Sequence, residues 1–437
     1  MRYWYLIHKW SSLICAIIML MLCVTGLPLI FHDELEALVD NRPHLKVRPS
    51  LYRNLDTLVA DAATQYPAYS PLWINIDYEK PVVSVGLASL DNGENPWVTL
   101  NAYTGEIITT SQMESPGKTV LTWIFRLHAD LFAGLKGQLL LGFMGILFLL
   151  ALLSGIIIYR PYMRFTTFGA IRRKGTPRQK YSDLHKLLGM VVLVWVVIVS
   201  GTGILHTFSA PLYNQWQTTY MRSLLTSYEN QSLPERLSSV QQAAAVAQKA
   251  IPKQRVAFIY FPNDKWGSPY HYLVFTSGVT ADAAHWYTPV LVDAATGQLT
   301  ATVEVPAYIR LLQIAHPLHF GNYGGLPMKV LWALLDIITI GVIVSGIYLW
   351  LLRKRPLPPI IARQAIASAG LLTSKVSRPQ SNWQIWKMPL LMGILTFFGC
   401  ATALFGAGFW HRLSWIFLSL PILITINLVV RSGEKRQ

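Results

Sequence analysis

The chain has 437 residues, 52% of them hydrophobic and 14% charged, with a formal net charge of +15. That balance excludes an ordinary soluble enzyme and marks an integral membrane protein. The positive charge needs no nucleic-acid partner, because its distribution along the chain follows membrane topology.

Apolar runs of about 20 residues, enough to cross ~30 Å of hydrocarbon, occur at Leu13–Phe31, Leu139–Tyr159, Leu187–Leu205, Val330–Leu352, Met388–Phe409 and Leu413–Val430. Arg160 to Lys180 holds seven Lys/Arg and no Asp/Glu, and Arg353 to Lys387 repeats that count. Residues 32–127 carry twelve acidic and seven basic side chains. The positive-inside rule then predicts cytoplasmic termini and basic loops, with the two long intervening segments outside. Arg2 and Lys9 precede the first run as in a signal peptide. The run is long for one and no A-x-A site follows, so a retained anchor is expected. Cys15, Cys23 and Cys400 fall inside apolar runs, where cysteine acts as a small hydrophobe, and Cys15 lacks a lipidation context.

In chain order, residues 1–35 form the first span, with His8 and Lys9 at its cytoplasmic mouth and Thr25-Gly26-Leu27-Pro28 near its far end. Residues 36–125 form an outer α+β module, with a helix-like LDTLVADAATQYP followed by alternating strand-like runs and a turn at Thr104-Gly105. The second span, 126–160, opens on Leu127-His128 and closes on Ser154-Gly155. A basic cytoplasmic loop, 161–184, leads to the third span, 185–210, which starts with His185 and Lys186 and ends on Ser-Gly-Thr-Gly at 200–203. A second outer module, 211–315, turns at Thr296-Gly297, and the fourth span, 316–353, runs from Leu318-His319 to Ser345-Gly346. A linker (354–387), a transmembrane hairpin (388–431) with a short outer turn at Trp410–Arg412, and a tail (432–437) complete the chain. The spacings repeat: 18 residues from His8 to Gly26 and from His185 to Gly203, and 26 from His128 to Ser154 and from His319 to Ser345. The expected fold is an α-helical membrane protein of six spans, two tandem span–module–span repeats plus a hairpin, related by a pseudo-two-fold axis along the membrane normal.

These residues resemble the PepSY-associated transmembrane family: the opening His-Lys-Trp with Thr-Gly-Leu-Pro, the paired Leu-His before Ser-Gly, and modules closing on Tyr-Thr-Gly-Glu and Asp-Ala-Ala-Thr-Gly-Gln. The resemblance covers about residues 1–355 and leaves the last hairpin outside it. It implies PepSY-like outer modules. It also suggests kinship with bacterial inner-membrane siderophore reductases, which carry two haems and reduce ferric iron on the periplasmic side.

Histidine at a membrane span is costly unless partnered. A lone interfacial histidine reads as a headgroup or backbone contact; four in repeated register read otherwise. The pseudo-two-fold axis would bring His8 to His185 near one face and His128 to His319 near the other. Two opposed neutral imidazoles are the axial ligand set of a six-coordinate haem b, suited to electron transfer. His206, His316 and His32 are second-choice ligands for the outer site, His206 foremost, while His44, His271, His285 and His411 read as ordinary. Gly26, Gly134, Gly137, Gly142, Gly189, Gly203 and Gly325 would admit a flat macrocycle, or equally serve helix packing. Lys9, Lys186 and the basic loop either face haem propionates or follow the charge bias. Trp73, Trp97, Trp216, Trp266 and Trp286 either stack a siderophore or form the interfacial belt and core.

No HExxH, CxxC or EF-hand spacing is present, and Gly201–Gly203 is not followed by a dinucleotide-binding unit. Electrons are therefore expected from a quinol or a protein donor. The partners expected are membrane lipid and a ferric siderophore or other iron chelate. Two other functions fit the same repeat: a haem-free transporter component for an iron or copper chelate, and a periplasmic PepSY module on a membrane anchor that binds or regulates an envelope partner.

Overall fold

The computed structural model describes residues 1–39, 48–78, 80–89, 95–111, 116–172, 175–228, 231–263, 267–280, 283, 286–352, 379–406 and 408–434. The chain divides into two compact units, one of residues 1–30, 125–207 and 318–437, the other of 31–124 and 208–317.

The first unit is helical. Six of its helices are long and apolar enough to cross a membrane: α1 (Arg2–Ile30), α5 (Leu135–Met163), α6 (Pro177–Thr207), α11 (Gly325–Leu351), α12 (Asn382–Phe405) and α13 (Phe409–Glu434). α1 packs on α5 and α6 on α11; α5–α6 and α1–α11 contacts close a four-helix bundle. Cys15, Ala16, Met19 and Ile343 form part of its interior, with Leu147 and Phe148 against them. These helices are apolar on every face, which a helix adopts when lipid or protein surrounds it completely.

α12 opens on a capping box, with Ser381 Oγ accepting from Gln384 N and Gln384 Oε1 accepting from Ser381 N at 2.8 Å. Its hairpin partner α13 is tied down by Ser414 Oγ, which donates to Gly399 O at 2.7 Å, and by Trp415 Nε1, which donates to Gly324 O at 3.2 Å. The hairpin turn expected at Trp410–Arg412 lies earlier. α12 ends before Gly406, Gly408 has a φ of +59°, and Trp410–Arg412 already belong to α13. Glycine breaks the helix there where bulky aromatics do not.

The second unit contains α2 (His32–Val39), α3 (Leu55–Ala63), β1 (Tyr69–Ile76), β2 (Val82–Ser89), β3 (Trp97–Asn101) and β4 (Ile107–Thr110). It also takes in the first turns of α4 (Pro116–Asp130) and, further on, α7 (Ser209–Trp216), α8 (Arg222–Leu225), α9 (Val240–Ala250), β5 (Gln254–Tyr260), β6 (His271–Gly278), β7 (Tyr287–Asp293), β8 (Leu299–Thr302) and most of α10 (Ala307–Phe320). The two modules share one antiparallel sheet, ordered β4-β3-β2-β1-β5-β6-β7-β8 and joined where Trp73, Ile74 and Asn75 pair with Tyr260, Ile259 and Phe258. Leu58 and Ala62 of α3 and Ala243 and Ala247 of α9 bury the face bearing Ile74, Val85, Ile259 and Val274. Each helix also caps the other's first turn: Asp56 Oδ1 accepts from Val240 N at 2.8 Å, and Gln241 Oε1 accepts from Leu55 N at 2.9 Å. Modules of about 60 residues are of marginal size for independent stability; sharing a sheet removes two free edges and supplies a common core.

Candidate functional site

α1 presents His8 near its start and α6 presents His185, and the two rings face each other with centroids 6.4 Å apart at 68°. At the opposite ends of these helices His128, at the end of α4, faces His319, at the end of α10, at 6.3 Å and 65°. The four histidines expected to act in pairs are thus brought together in those pairs, with matching geometry.

The receptor of each ring is a Ser/Thr-Gly dipeptide on a neighbouring helix. His8 Nδ1 donates to Ala151 O at 2.8 Å, beside Ser154-Gly155. His185 Nδ1 reaches Val342 O at 3.0 Å and Ser345 Oγ at 3.1 Å. His128 Nδ1 lies 2.9 Å from Thr25 Oγ1, and His319 Nδ1 lies 3.0 Å from Val199 O and 3.3 Å from Thr202 Oγ1. Each hydroxyl gives its own proton to a carbonyl three or four residues back in its helix, so it can only accept from the imidazole. A carbonyl likewise only accepts. Nδ1 therefore carries the proton, and the lone pair stays on Nε2. The glycine of each dipeptide makes room for the ring edge. A Cβ on Gly203, Gly155, Gly346 or Gly26 would lie 3.1, 3.2, 3.2 or 3.4 Å from Cε1 of His319, His8, His185 or His128. The repeat makes the arrangement reciprocal. Within each half, each of the two spans offers the dipeptide on which the other's histidine, or the histidine just before it, rests.

Centroids at 6.4 and 6.3 Å leave room for one metal ion between the two imidazoles of each pair, at metal–nitrogen distances of about 2.0–2.1 Å. His206, the foremost rival, stands 5.4 Å from His319 and 6.1 Å from Phe320, too close to His319 to pair with it across one ion, so it competes only as His319's replacement opposite His128. His316 lies on α10 and His32 on α2, both in the second unit. His32 is half-exposed and pairs with Asp33 at 3.7 Å and Glu36 at 3.4 Å. The Asp33 hydrogen bond comes first among the causes that raise its pKa; partial burial opposes it.

The first pair opens onto a cavity of about 360 Å³, lined by Gly155, Gly189 and Gly346 and by the cations Lys9, Arg178 and Lys186. That is the size range of cofactor pockets, about 300–1,000 Å³. Lys186 is held by Asp183 Oδ1 at 3.1 Å, and the buried Asp183 carboxylate also takes two short bonds from Arg172. The other glycines singled out do different work. A Cβ on Gly137 would strike Asp130 O and one on Gly142 would strike Thr207, so both are helix-packing positions, while Gly134, just before α5, and Gly325, the first residue of α11, sit at positive φ.

Of the remaining aromatics, Trp73 lies over Gly86 and stacks on Phe258 at 5.5 Å, and Trp216 is buried with Nε1 donating to Glu304 O. Trp97 and Trp286 are half-buried. His271 is fully buried against Ser268 and Tyr228, and His411 lies in α13. His44, His285, Trp266 and most of the basic linker lie outside the described residues. Among the described residues, no group of three or more His, Cys, Asp or Glu side chains gathers to hold a metal. The role of the Ser/Thr-Gly dipeptides as ring receptors is not legible in the sequence: their spacing repeats, but which ring each one receives depends on helix packing.

Fold and site define a multi-pass membrane protein whose four-helix bundle holds two opposed histidine pairs, with a shared antiparallel α/β module in its long connections. A family model for the PepSY-associated TM region matches residues 5–353, and the chain belongs to that family. The match stops short of α12 and α13. A search of the curated proteins finds no match to this chain.

Proposed function

We propose that this protein carries electrons across the bacterial inner membrane through two b-type haems, one per histidine pair, to a ferric siderophore or similar chelate in the periplasm. The observation that carries this reading is the duplicated pair geometry, with centroids at 6.4 and 6.3 Å and every Nδ1 engaged. His8 with His185, and His128 with His319, would hold the iron of a planar tetradentate macrocycle. When bound, such a group supplies a one-electron iron couple with no open coordination site.

The chain's own residues do the rest. Ala151, Val342, Val199 and the four hydroxyls fix the imidazole tautomer and raise ligand basicity. The glycines set how close ring and helix approach. Lys9, Lys186 and Arg178 offer positive charge to carboxylate substituents at the cavity of the first pair. On α1, His8 of the first pair and Thr25-Gly26, which receives His128 of the second, are 17–18 residues apart, about 26 Å along the axis, so the pairs serve opposite faces. Electrons enter from a quinol or protein donor at the cytoplasmic side, which the basic loops mark. Reduction to ferrous iron weakens its hold by oxygen-donor chelates, and iron is released.

The full-length protein, purified in detergent, should show a Soret band and sharp α/β bands that sharpen on reduction, with two haems per chain. A colourless preparation from haem-replete cells, or one that moves chelate into vesicles without a reducible chromophore, rejects the reading in favour of a transport component.

A further inference from the structure

Asp336 is the one acidic side chain on α11, and it is 6% exposed. Its Oδ2 has no hydrogen-bond partner among the described residues, and the carboxyl lies near the Cys23 thiol of α1. Cys23 lies between Leu22 and Thr25, the residues that hold His128. The carboxyl is thus set near the end of α1 that receives the second pair, away from the end that carries His8 of the first. It also breaks the internal repeat. His319 to Asp336 is 17 residues, and 17 residues after His128 stands Gly145. Symmetric packing therefore does not require a carboxyl here, and an incompletely bonded one in an apolar bundle is costly.

We propose that Asp336 binds a proton each time the iron held by His128 and His319 takes an electron. The inference rests on the haem reading above. An oxidised iron site bears one more positive charge than the reduced site and compensates a nearby carboxylate in low dielectric. When an electron from the quinol or protein donor arrives, that compensation is lost. The carboxylate oxygen then forms an O–H bond with a proton from water, the electron stays on the metal, and the local charge is unchanged. On reoxidation the proton leaves.

Few other titratable groups face the carboxyl. α1 offers the Cys23 thiol. α6 has no titratable side chain between Lys186 and His206, and α13 has none between Arg412 and Arg431. On α11 itself the buried Lys329 lies seven residues earlier, on the same face.

The test is an optical redox titration of the haem-loaded, full-length protein at several pH values. One haem's midpoint should fall with rising pH, by up to about 59 mV for each tenfold drop in proton activity, the one-electron conversion; the other should stay flat. Asp336→Asn should flatten the sloping one with both sets of bands retained, and Asp336→Glu should keep the slope. Two flat wild-type potentials, or a slope surviving in D336N, overturn the proposal and leave the haem reading standing. Protein without haem bands overturns both. Should D336N not accumulate, the redox-difference infrared spectrum of wild type decides. A protonated carboxyl band that appears on reduction and shifts with isotope-labelled aspartate is expected, and its absence overturns the assignment.

Discussion

His8 and His185 stand inside unbroken helices of 29 and 31 residues, whereas His128 and His319 stand at the ends of helices of 15 and 14 residues. The turn after His128 forces Leu131 and Phe132 to φ of 53° and 57°, a backbone region unfavourable for side chains with a Cβ. Phe132 N donates to Asp130 Oδ1 at 2.8 Å, and Arg126 lies over its ring, so contacts hold the strained turn. After His319 the same bend falls on Gly321, at φ 68°, beneath the Trp332 ring. The first pair is therefore positioned by helix packing alone, and the second by two turns of unequal strain. Strain held by surrounding structure is characteristic of sites whose geometry matters more than their stability.

The largest test separates the pairs. His8→Ala or His185→Ala should halve the haem content and leave the spectrum of the second site, and His128→Ala or His319→Ala should do the reverse. His206→Ala should leave two haems; loss of the second site's spectrum would make His206, and not His319, the partner of His128. Quantified haem per chain checks all five.

Next come the ring receptors. Gly203→Ala would set a methyl 3.1 Å from His319, while Gly26→Ala meets His128 at an ordinary 3.4 Å. Overpacking costs about 1–3 kcal/mol. The first substitution should shift its site's spectrum and lower haem retention, and the second should be nearly silent. Removing hydroxyls should follow the distances. Thr25→Val deletes a 2.9 Å contact to His128 and should weaken retention there by roughly 10-fold, the low end for outer-sphere partners. Ser154→Ala deletes only a 3.5 Å contact, since His8 keeps its 2.8 Å bond to Ala151, and should be almost without effect. Equal losses at both would mean that the hydroxyls do not orient the rings.

The span order and the register of the histidines were legible because both rest on periodicity: about 20 apolar residues per span, and one polar residue at a fixed offset in each copy. The union of the two modules into one sheet was not. Pairing of Ile74 with Ile259 spans 185 residues, and nothing local in either strand names its partner. Ser154-Gly155 and Thr202-Gly203 could be seen as repeated dipeptides, yet their job appears only when α5 meets α1 and α6 meets α10. Asp336 is not legible for a related reason: it has no repeat-mate.

The smallest effect concerns a histidine of the second unit. His32→Asn should leave both haem spectra unchanged. Its folded pKa is raised, first by the Asp33 hydrogen bond, so the protonated form is favoured in the folded state. The resulting stabilisation is fully present below about pH 6.5, the unfolded value, and is lost as pH rises through the folded pKa. Because the side chain is 45% exposed, the pair is worth well under about 1 kcal/mol. Thermal unfolding at low and neutral pH should therefore show wild type gaining slightly over the variant only on the acid side. A gain on the alkaline side, or a lost haem, would move His32 from a surface ion pair into the outer site and would make the two pairs unlike in their ligands as well as in their turns.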